Sequence, residues 1–429
     1  MSRASPLRLA LMAGAVLAAP APALAGWTKS FAVEWYEPAM YYGAENGTTE
    51  PGTDCPAGTN PEPDWIKVLT DAGYSREQAL WLRDPANPTR SPVHGQNQMA
   101  FRGEGRANVY IHPTSTPDGG LVGVSGQIAE GLDLDDNPRT GFVSPTGQPG
   151  IDNAFYRALG CWKTFRGPPR LSSGALQNND AMRDGAWTVV VVVEGRGKDP
   201  MNDDDVTVGF YPSDDKLVKD AIGGIAPDYT FRIRPHPKLE AIFKAKTVNG
   251  RIVSKRPMDE VWMRDAGAAR ELQLLKARID LTLKPDGHLA GYVGGYRPWK
   301  PVYDGYVRAR GPVIEALTWV RLPDVYYALR RHADYSPAGA KGEKTHISFA
   351  YRLEAVPAFV VSPDATQTAR ATSYKAMAAA VVQPPERTPF NVVDGIVVPR
   401  GAPAVSQPES ALLPPARTAN AAGVAGGAP

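Results

Sequence analysis

Apolar and polar residues alternate with a period of two over much of this chain, and that period predicts strands. The longest run is Glu271 to Leu283. Leu275, Ala277, Ile279, Leu281 and Leu283 share one face there, with Lys276, Arg278, Asp280 and Thr282 opposite. Asp286-Gly287 then predicts a turn into a second arm, His288 to Tyr296. Gly291, Gly294 and Gly295 in that arm predict a bend, a bulge or close approach of another backbone. Gly26 to Tyr36 alternates with Phe31, Val33 and Trp35 on one face. Ala107 to His112, Leu121 to Ile128, Val206 to Tyr211, Tyr229 to Arg234 and Thr345 to Val361 are further candidates. Val189 to Val193 is apolar on both faces, as a strand covered on each side requires. Asn249-Gly250 breaks Ile242 to Val253 into a hairpin.

Helical signals are confined to the two ends. Asp64 is placed to cap a helix carrying Trp65, Val68, Leu69 and Ala72, with Gly73 as its stop. Ser75 and Gln78 form a capping box for a second helix that ends near Pro85. Pro312 to Asp334 predicts two short helices split near Pro323, with Asp324 in the first turn of the second. Ser373 to Val382 predicts a helix, Asn391 to Val398 a short docked strand, and the chain from Gly401 onward predicts disorder. Strands in the middle and helices at the ends give a mainly β fold, an antiparallel β-sandwich of the jelly-roll kind. The expected division is 1–25 signal peptide, 26–100 N-terminal strand plus helical hairpin, 101–365 sandwich core and 366–429 Ala/Pro-rich tail.

Composition changes this picture in three places. Arg3 and Arg8, the apolar run Leu9 to Ala19 and the Ala23-Leu24-Ala25 site form a secretory signal peptide cleaved before Gly26. The expected location is periplasmic or secreted, with no transmembrane segment in the mature chain, since no later stretch nears about 20 apolar residues. Removing Arg3 and Arg8 leaves 45 Lys+Arg against 45 Asp+Glu, so net charge gives no reason to expect a nucleic-acid or membrane-surface partner. Cys55 and Cys161 are the two cysteines, and in an oxidising compartment they are expected to pair. Closing so long a loop stabilises the folded state by roughly 4 kcal/mol on the chain-entropy model. Gly 42 and Pro 41 favour short strands and tight turns over a helical enzyme.

Candidate chemistry centres on Glu130 to Trp162. Asp133, Asp135 and Asn137 stand at alternate positions, a spacing that aims oxygens at one point. The arrangement resembles the first half of an EF-hand or dockerin-type calcium loop, which implies calcium as the ligand. Pro138 stands where that loop needs glycine and no glutamate closes it, which excludes an EF-hand and leaves a different calcium loop, with Asp152 as a later ligand. The competing reading is that these residues make Asx-turns with their own backbone. Asp203 and Asp205, inside Asn202-Asp203-Asp204-Asp205, form a second acidic knot between two strands. If both loops lie at one end of the fold, they build one site.

Tyr292, Tyr296, Trp299, Tyr303 and Tyr306 set large rings on a Gly/Pro scaffold, where they either stack on a carbohydrate or envelope-protein partner or close the core. Catalytic motifs are missing. Gly123-Val124-Ser125-Gly126-Gln127 lacks the last glycine of a nucleophile elbow, and the six histidines are scattered singly. No haem, zinc or nucleotide chemistry is expected. The leading expectation is an exported, non-catalytic protein that binds a ligand or partner. The alternatives are a hydrolase of an extracellular glycan or ester and a soluble subunit of an envelope complex.

Overall fold

The computed structural model describes residues 26–43, 55, 58–84, 99–266, 271–309, 315, 320–361, 390–393 and 396–399. The signal peptide, the Ser373 to Val382 helix and the chain from Gly401 onward lie outside the described residues.

The main sheet is antiparallel and closes on itself. Around the ring run β1 (Trp27–Pro38), β4 (Thr188–Gly195), β5 (Asp203–Ser213), β7 (Ala241–Val248), β8 (Arg251–Ser254), β10 (Glu271–Leu283), β11 (Leu289–Pro298) and β12 (His346–Pro357), with β12 returning to β1. The expected sandwich is therefore corrected to an eight-stranded barrel. The cause lies in β10, which bonds to β11 along one edge and to β8 and then β9 (Met258–Arg264) along the other. The β10–β11 pairing joins the two ends of the strand order and so closes the ring. Eight strands give an interior that side chains just fill, and Phe31, Val191, Phe210, Phe243, Leu281, Val293, Phe349 and Leu353 fill it.

Two bulges reset the alternation read from the sequence. Register shifts between Leu275 and Arg278, where Lys276 sits at φ 52°. Leu272 and Leu274 then share the inner face with Ala277, Ile279, Leu281 and Leu283, while Leu275 turns outward and is half-buried. In β1 the shift falls between Val33 and Trp35, so Phe31, Val33 and Tyr36 face inward and Trp35 lies outside beneath the Arg170 guanidinium. Past Ala32, β4 no longer pairs with β1. Asn179 takes over, accepting from Tyr36 N at 2.8 Å and donating to Tyr36 O at 3.1 Å. The Asn249-Gly250 turn forms as expected, at φ 50° and 78°, both in the left-handed region a tight hairpin turn demands. Gly291 is a close approach: a Cβ there would meet Asp280 O at 2.1 Å.

Two expected strands are absent. Ala107 to His112 and Leu121 to Ile128 are extended or turning loops. Side chains satisfy their backbone in place of a ladder. Asn60 brackets Val122, and Arg157 donates to the carbonyls of Val124 and Gly126. The helical hairpin is as read, with α1 (Trp65–Asp71) capped by Asp64 and α2 (Arg76–Arg83) opened by the Ser75/Gln78 capping box. Helices also lie in the middle of the chain, contrary to expectation: α3 (Ala154–Leu159) and α4 (Ser173–Arg183). Both pack on the barrel, where Asn153 and Ser172 cap them. α5 (Trp299–Ala309) follows β11 directly, and α6 (Leu322–His332) carries Pro323 and Asp324 in its first turn. In place of one docked strand there, β14 (Phe390–Val393) pairs with β15 (Ile396–Pro399). Two further small pairings complete the fold. They are β2 (Phe142–Val143) with β3 (Pro149–Ile151), and β6 (Thr230–Arg232) parallel to β13 (Phe359–Val361).

Cys55 and Cys161 form a disulfide across a sequence separation of 106, with Cα atoms 5.9 Å apart. Among the described residues no helix is long and apolar enough to cross a membrane. The outer face of β7 carries Lys244 and Lys246 between Ile242 and Val248.

Inside the barrel, Arg297 of β11 pairs with Asp265 at 2.6 Å, and Tyr351 donates to the same carboxylate. Arg297→Met strands that carboxylate without its cation and is expected to cost about 3–5 kcal/mol in urea denaturation; an effect below about 1 kcal/mol would show that Tyr351 alone suffices. Paired Cys55→Ser and Cys161→Ser changes should lower stability by about 2–5 kcal/mol, and thiol titration of native protein should find no free cysteine.

Candidate metal loop on the barrel wall

The loop from Glu130 to Asp152 lies on the outside of β10, β11 and β12. Three anchors hold it there. Arg352 on β12 bonds Glu130 at 2.7 Å and also Glu37. Arg278 on β10 bonds Asp136 at 2.5 Å. Asn153 donates to the carbonyls of Ala39 and Glu130 at 2.8 Å each while its other end caps α3. Between the anchors, Leu132 and Leu134 pack on Tyr296, which the β11 register turns outward.

Within this frame Asp133, Asp135 and Asp152 converge, with one carboxylate oxygen from each lying within 4.8 Å of the others. Leu132 and Asp152 form a β-bridge that fixes the two limbs. Asp152 Oδ2 accepts from Leu134 N at 2.8 Å and from Asp135 N at 3.3 Å. Asp133 Oδ1 is buried and has no hydrogen-bond partner. Gly150, at φ +86°, leaves room beside it: a Cβ there would stand 3.0 Å from Asp133 Oδ2. Among the described residues none of the three carboxylates takes part in a salt bridge, because the neighbouring cations are spent on Glu130 and Asp136.

The electrostatics follow from that placement. Burial pushes the Asp152 carboxyl up to about 7, and the Asp135 and Asp334 charges add to the rise against the two backbone donors. Asp334, also raised by burial, bonds Ser348 through both oxygens. Tyr296 is pushed up by burial and then by Asp152, Asp334 and Asp135. Tyr335 stacks on that ring at 4.0 Å. Asp334 and Tyr335 carried no local signal in the sequence. The β12 register brings them in through Ser348 and the bridge of Tyr335 to His346.

Asn137 and both oxygens of Asp135 do turn chemistry, Asp135 Oδ2 accepting from Thr140 Oγ1 at 3.1 Å. Asp135 Oδ1 accepts from Asn137 N at 2.9 Å, and Asn137 Oδ1 accepts from Arg139 N at 3.2 Å. The second acidic knot stands apart, at the barrel end where β1 begins and β4 finishes. Asp203 Oδ2 accepts from Trp27 Nε1 at 2.8 Å and Gly197 N at 2.7 Å, and its Oδ1 accepts from Asp205 N at 2.8 Å. Burial works to raise the Asp203 carboxyl, but those donors together hold it below the usual range. Asp205 pairs with Arg196 at 3.3 Å. The two acidic loops therefore do not build one site.

The aromatic cluster is largely core. Trp299 and Tyr303 are buried on α5 with their rings edge-on to Tyr326, and Tyr303 donates to Tyr110 O. Tyr306 lies edge-on to Trp162. Tyr296 is buried under the acidic loop, and Tyr292 beside Glu130 is half-buried. None of the buried rings offers a face to a sugar.

The fold and the loop together define a closed antiparallel barrel with a disulfide and a three-carboxylate centre on its outer wall. No protein-family model matches the chain, and no curated protein or solved structure is significantly similar to it.

The raised Asp152 group carries a sign for stability. The native state keeps a proton between about pH 4 and about 7 that an unfolded aspartate, near its ordinary value of about 3.9, has already lost. The contribution is complete below about pH 4 and disappears as pH rises through about 7. In EDTA, the Tm advantage of Asp152→Asn over the natural chain should grow from about pH 4.5 to about pH 8. A difference that stays flat across that range would place the proton elsewhere.

Proposed function

We propose that this is an exported, non-catalytic barrel protein that binds a ligand or partner, and that calcium clasps its 130–152 loop to the barrel wall. The observation that carries the calcium part is the convergence of Asp133, Asp135 and Asp152, with no cation among the described residues bonded to any of them and one buried oxygen unpartnered. Carboxylates held that close repel until a proton or a cation is shared among them. A divalent ion with oxygen ligands converts the repulsion into stability, with backbone carbonyls and water completing the six to eight oxygens calcium requires. Asp133, Asp135 and Asp152 would supply the carboxylates; Asn137, engaged in its own turn, is the weakest of the expected ligands. Asp203 and Asp205 already hold protein partners and are left out of the site.

The disulfide is compatible with an oxidising compartment, which supports export to the periplasm or medium. The non-catalytic reading rests on the missing motifs and on the use of the carboxylates. They sit on the outer wall over a buried tyrosine, whereas a glycosidase sets two carboxyl groups across a substrate cleft.

Calcium at about a hundredfold over its Kd stabilises the native state by about 2.7 kcal/mol. Melting in millimolar calcium against EDTA should show that gain, and Asp135→Ala should abolish it. Equal Tm values in the two buffers would reduce the loop to turn chemistry.

A further inference from the structure

A second feature lies on the barrel wall away from the carboxylate loop, where β7 runs between β5 and β8. Every second residue of β7 is exposed, and the outward row reads Ile242, Lys244, Lys246, Val248. At the rise of an extended strand that row is about 20 Å long. The β7–β8 register sets Ala245 opposite Ser254 and continues into a bond from Lys255 N to Lys244 O at 2.9 Å. Lys255, also exposed, therefore stands directly opposite Lys244 on the same face.

Like charges directly opposite each other destabilise a sheet, and no acid relieves this pair. Lys244 Nζ donates to the neutral Thr207 Oγ1 at 2.9 Å, and among the described residues none of Lys244, Lys246 and Lys255 bonds a carboxylate. Acids on the neighbouring strands are engaged elsewhere. Asp205 pairs with Arg196 at 3.3 Å, Asp280 with Arg251 at 2.5 Å and Asp259 with Lys276 at 2.5 Å. Glu194 on β4 and Asp204 on β5 are exposed as well, set against Lys244, Lys246, Lys255 and Arg256. The whole-chain counts of 47 Lys+Arg and 45 Asp+Glu average this local excess away.

The two ends of the row are apolar. Ile242 is 41% exposed and pairs with Gly209, over which Tyr211 folds its ring. Val248 is 47% exposed beside the Asn249-Gly250 turn, where Gly250 N donates to Met201 O and Met201 is exposed too. A soluble polyanion would use the lysines alone. A lipid surface takes both halves of the pattern, charge at the phosphates and apolar or aromatic groups at the headgroup–acyl boundary.

We propose that this wall docks on an anionic lipid surface, with Lys244, Lys246 and Lys255 on the headgroup phosphates and Ile242 and Val248 at the boundary beneath them. The inference names the partner in the reading above and does not involve calcium.

Co-sedimentation of the full mature chain in EDTA tests it, with vesicles of phosphatidylcholine alone and of equimolar phosphatidylcholine and phosphatidylglycerol. Three lysines near such a surface predict about a hundredfold preference for the anionic vesicles, falling as salt is raised. Lys246→Gln and Lys255→Gln, at exposed positions, should each weaken binding about fivefold. Neither should lower Tm, since Lys255→Gln removes a like-charge pair. Ile242→Thr and Val248→Thr should each weaken binding about twofold to threefold, whereas Lys219→Gln, outside the row, should leave it unchanged. Equal sedimentation with the two vesicles, no effect of Lys246→Gln and Lys255→Gln, or an equal effect of Lys219→Gln overturns the proposal. Binding undiminished in the Ile242→Thr, Val248→Thr double variant also overturns it, because the lysines would then serve a soluble polyanion. A Tm unresponsive to calcium bears on the clasp alone and leaves the vesicle result standing.

Discussion

The constraint on which this structure depends is the double pairing of β10. Its 13 residues hydrogen-bond to β11 on one side and to β8 and β9 in succession on the other. The β11 bond joins the two ends of the strand order, and with β11 bonded to β12 and β12 to β1 the ring of eight is closed. Curvature of that order brings backbones close enough to exclude side chains, and the glycine at 291 provides for it. The bulge at Lys276 provides the remaining adjustment by shifting inner and outer faces midway along the strand.

Closure then decides what the outside of the barrel can hold. Because the β11 register turns Tyr292 and Tyr296 outward beside Arg352 and Ser348, the wall offers an apolar platform flanked by a cation. The 130–152 segment lies on that platform. Glu130 and Asp136 take the two arginines. Asp133 and Asp152, both half-buried, and the exposed Asp135 are left facing one another. The acidic centre is thus a consequence of how few cations the wall presents. The Asp152 carboxyl is raised by its burial first and then by the Asp135 and Asp334 charges.

Helices and loops tie the rest of the chain to the same frame through single polar groups. Asn179, Asn153 and Asn60 each satisfy backbone atoms that no strand reaches. Buried Arg102 does likewise on a larger scale, pairing with Glu315 at 2.6 Å while its guanidinium lies over the rings of Trp65 and Tyr110. Each such group replaces water at an unpaired backbone or charged atom, which is costly to leave bare. The long stretches without regular structure between Phe101 and Val143 are held by such side-chain bonds in place of a ladder.

What the sequence determined by itself is what short-range chemistry decides. The caps of α1 and α2, the Asn249-Gly250 turn, the covered Val189 to Val193 run and the pairing of two lone cysteines were all legible. Each depends on neighbours a few residues away or on there being one possible partner. Tertiary structure decided the rest. Bulges moved Trp35 and Leu275 to the outer face, since one extra residue inverts a period of two. Ala107 to His112 and Leu121 to Ile128 carry strand-like patterns, yet their backbones bond to distant side chains and not to a ladder. The acidic positions 133, 135 and 152 stood out in the chain, but Asp334 joined them only through the register of β12. Barrel or sandwich was beyond the pattern altogether. Both need the same alternation, and only the hydrogen bonds on the far edge of β10 tell them apart.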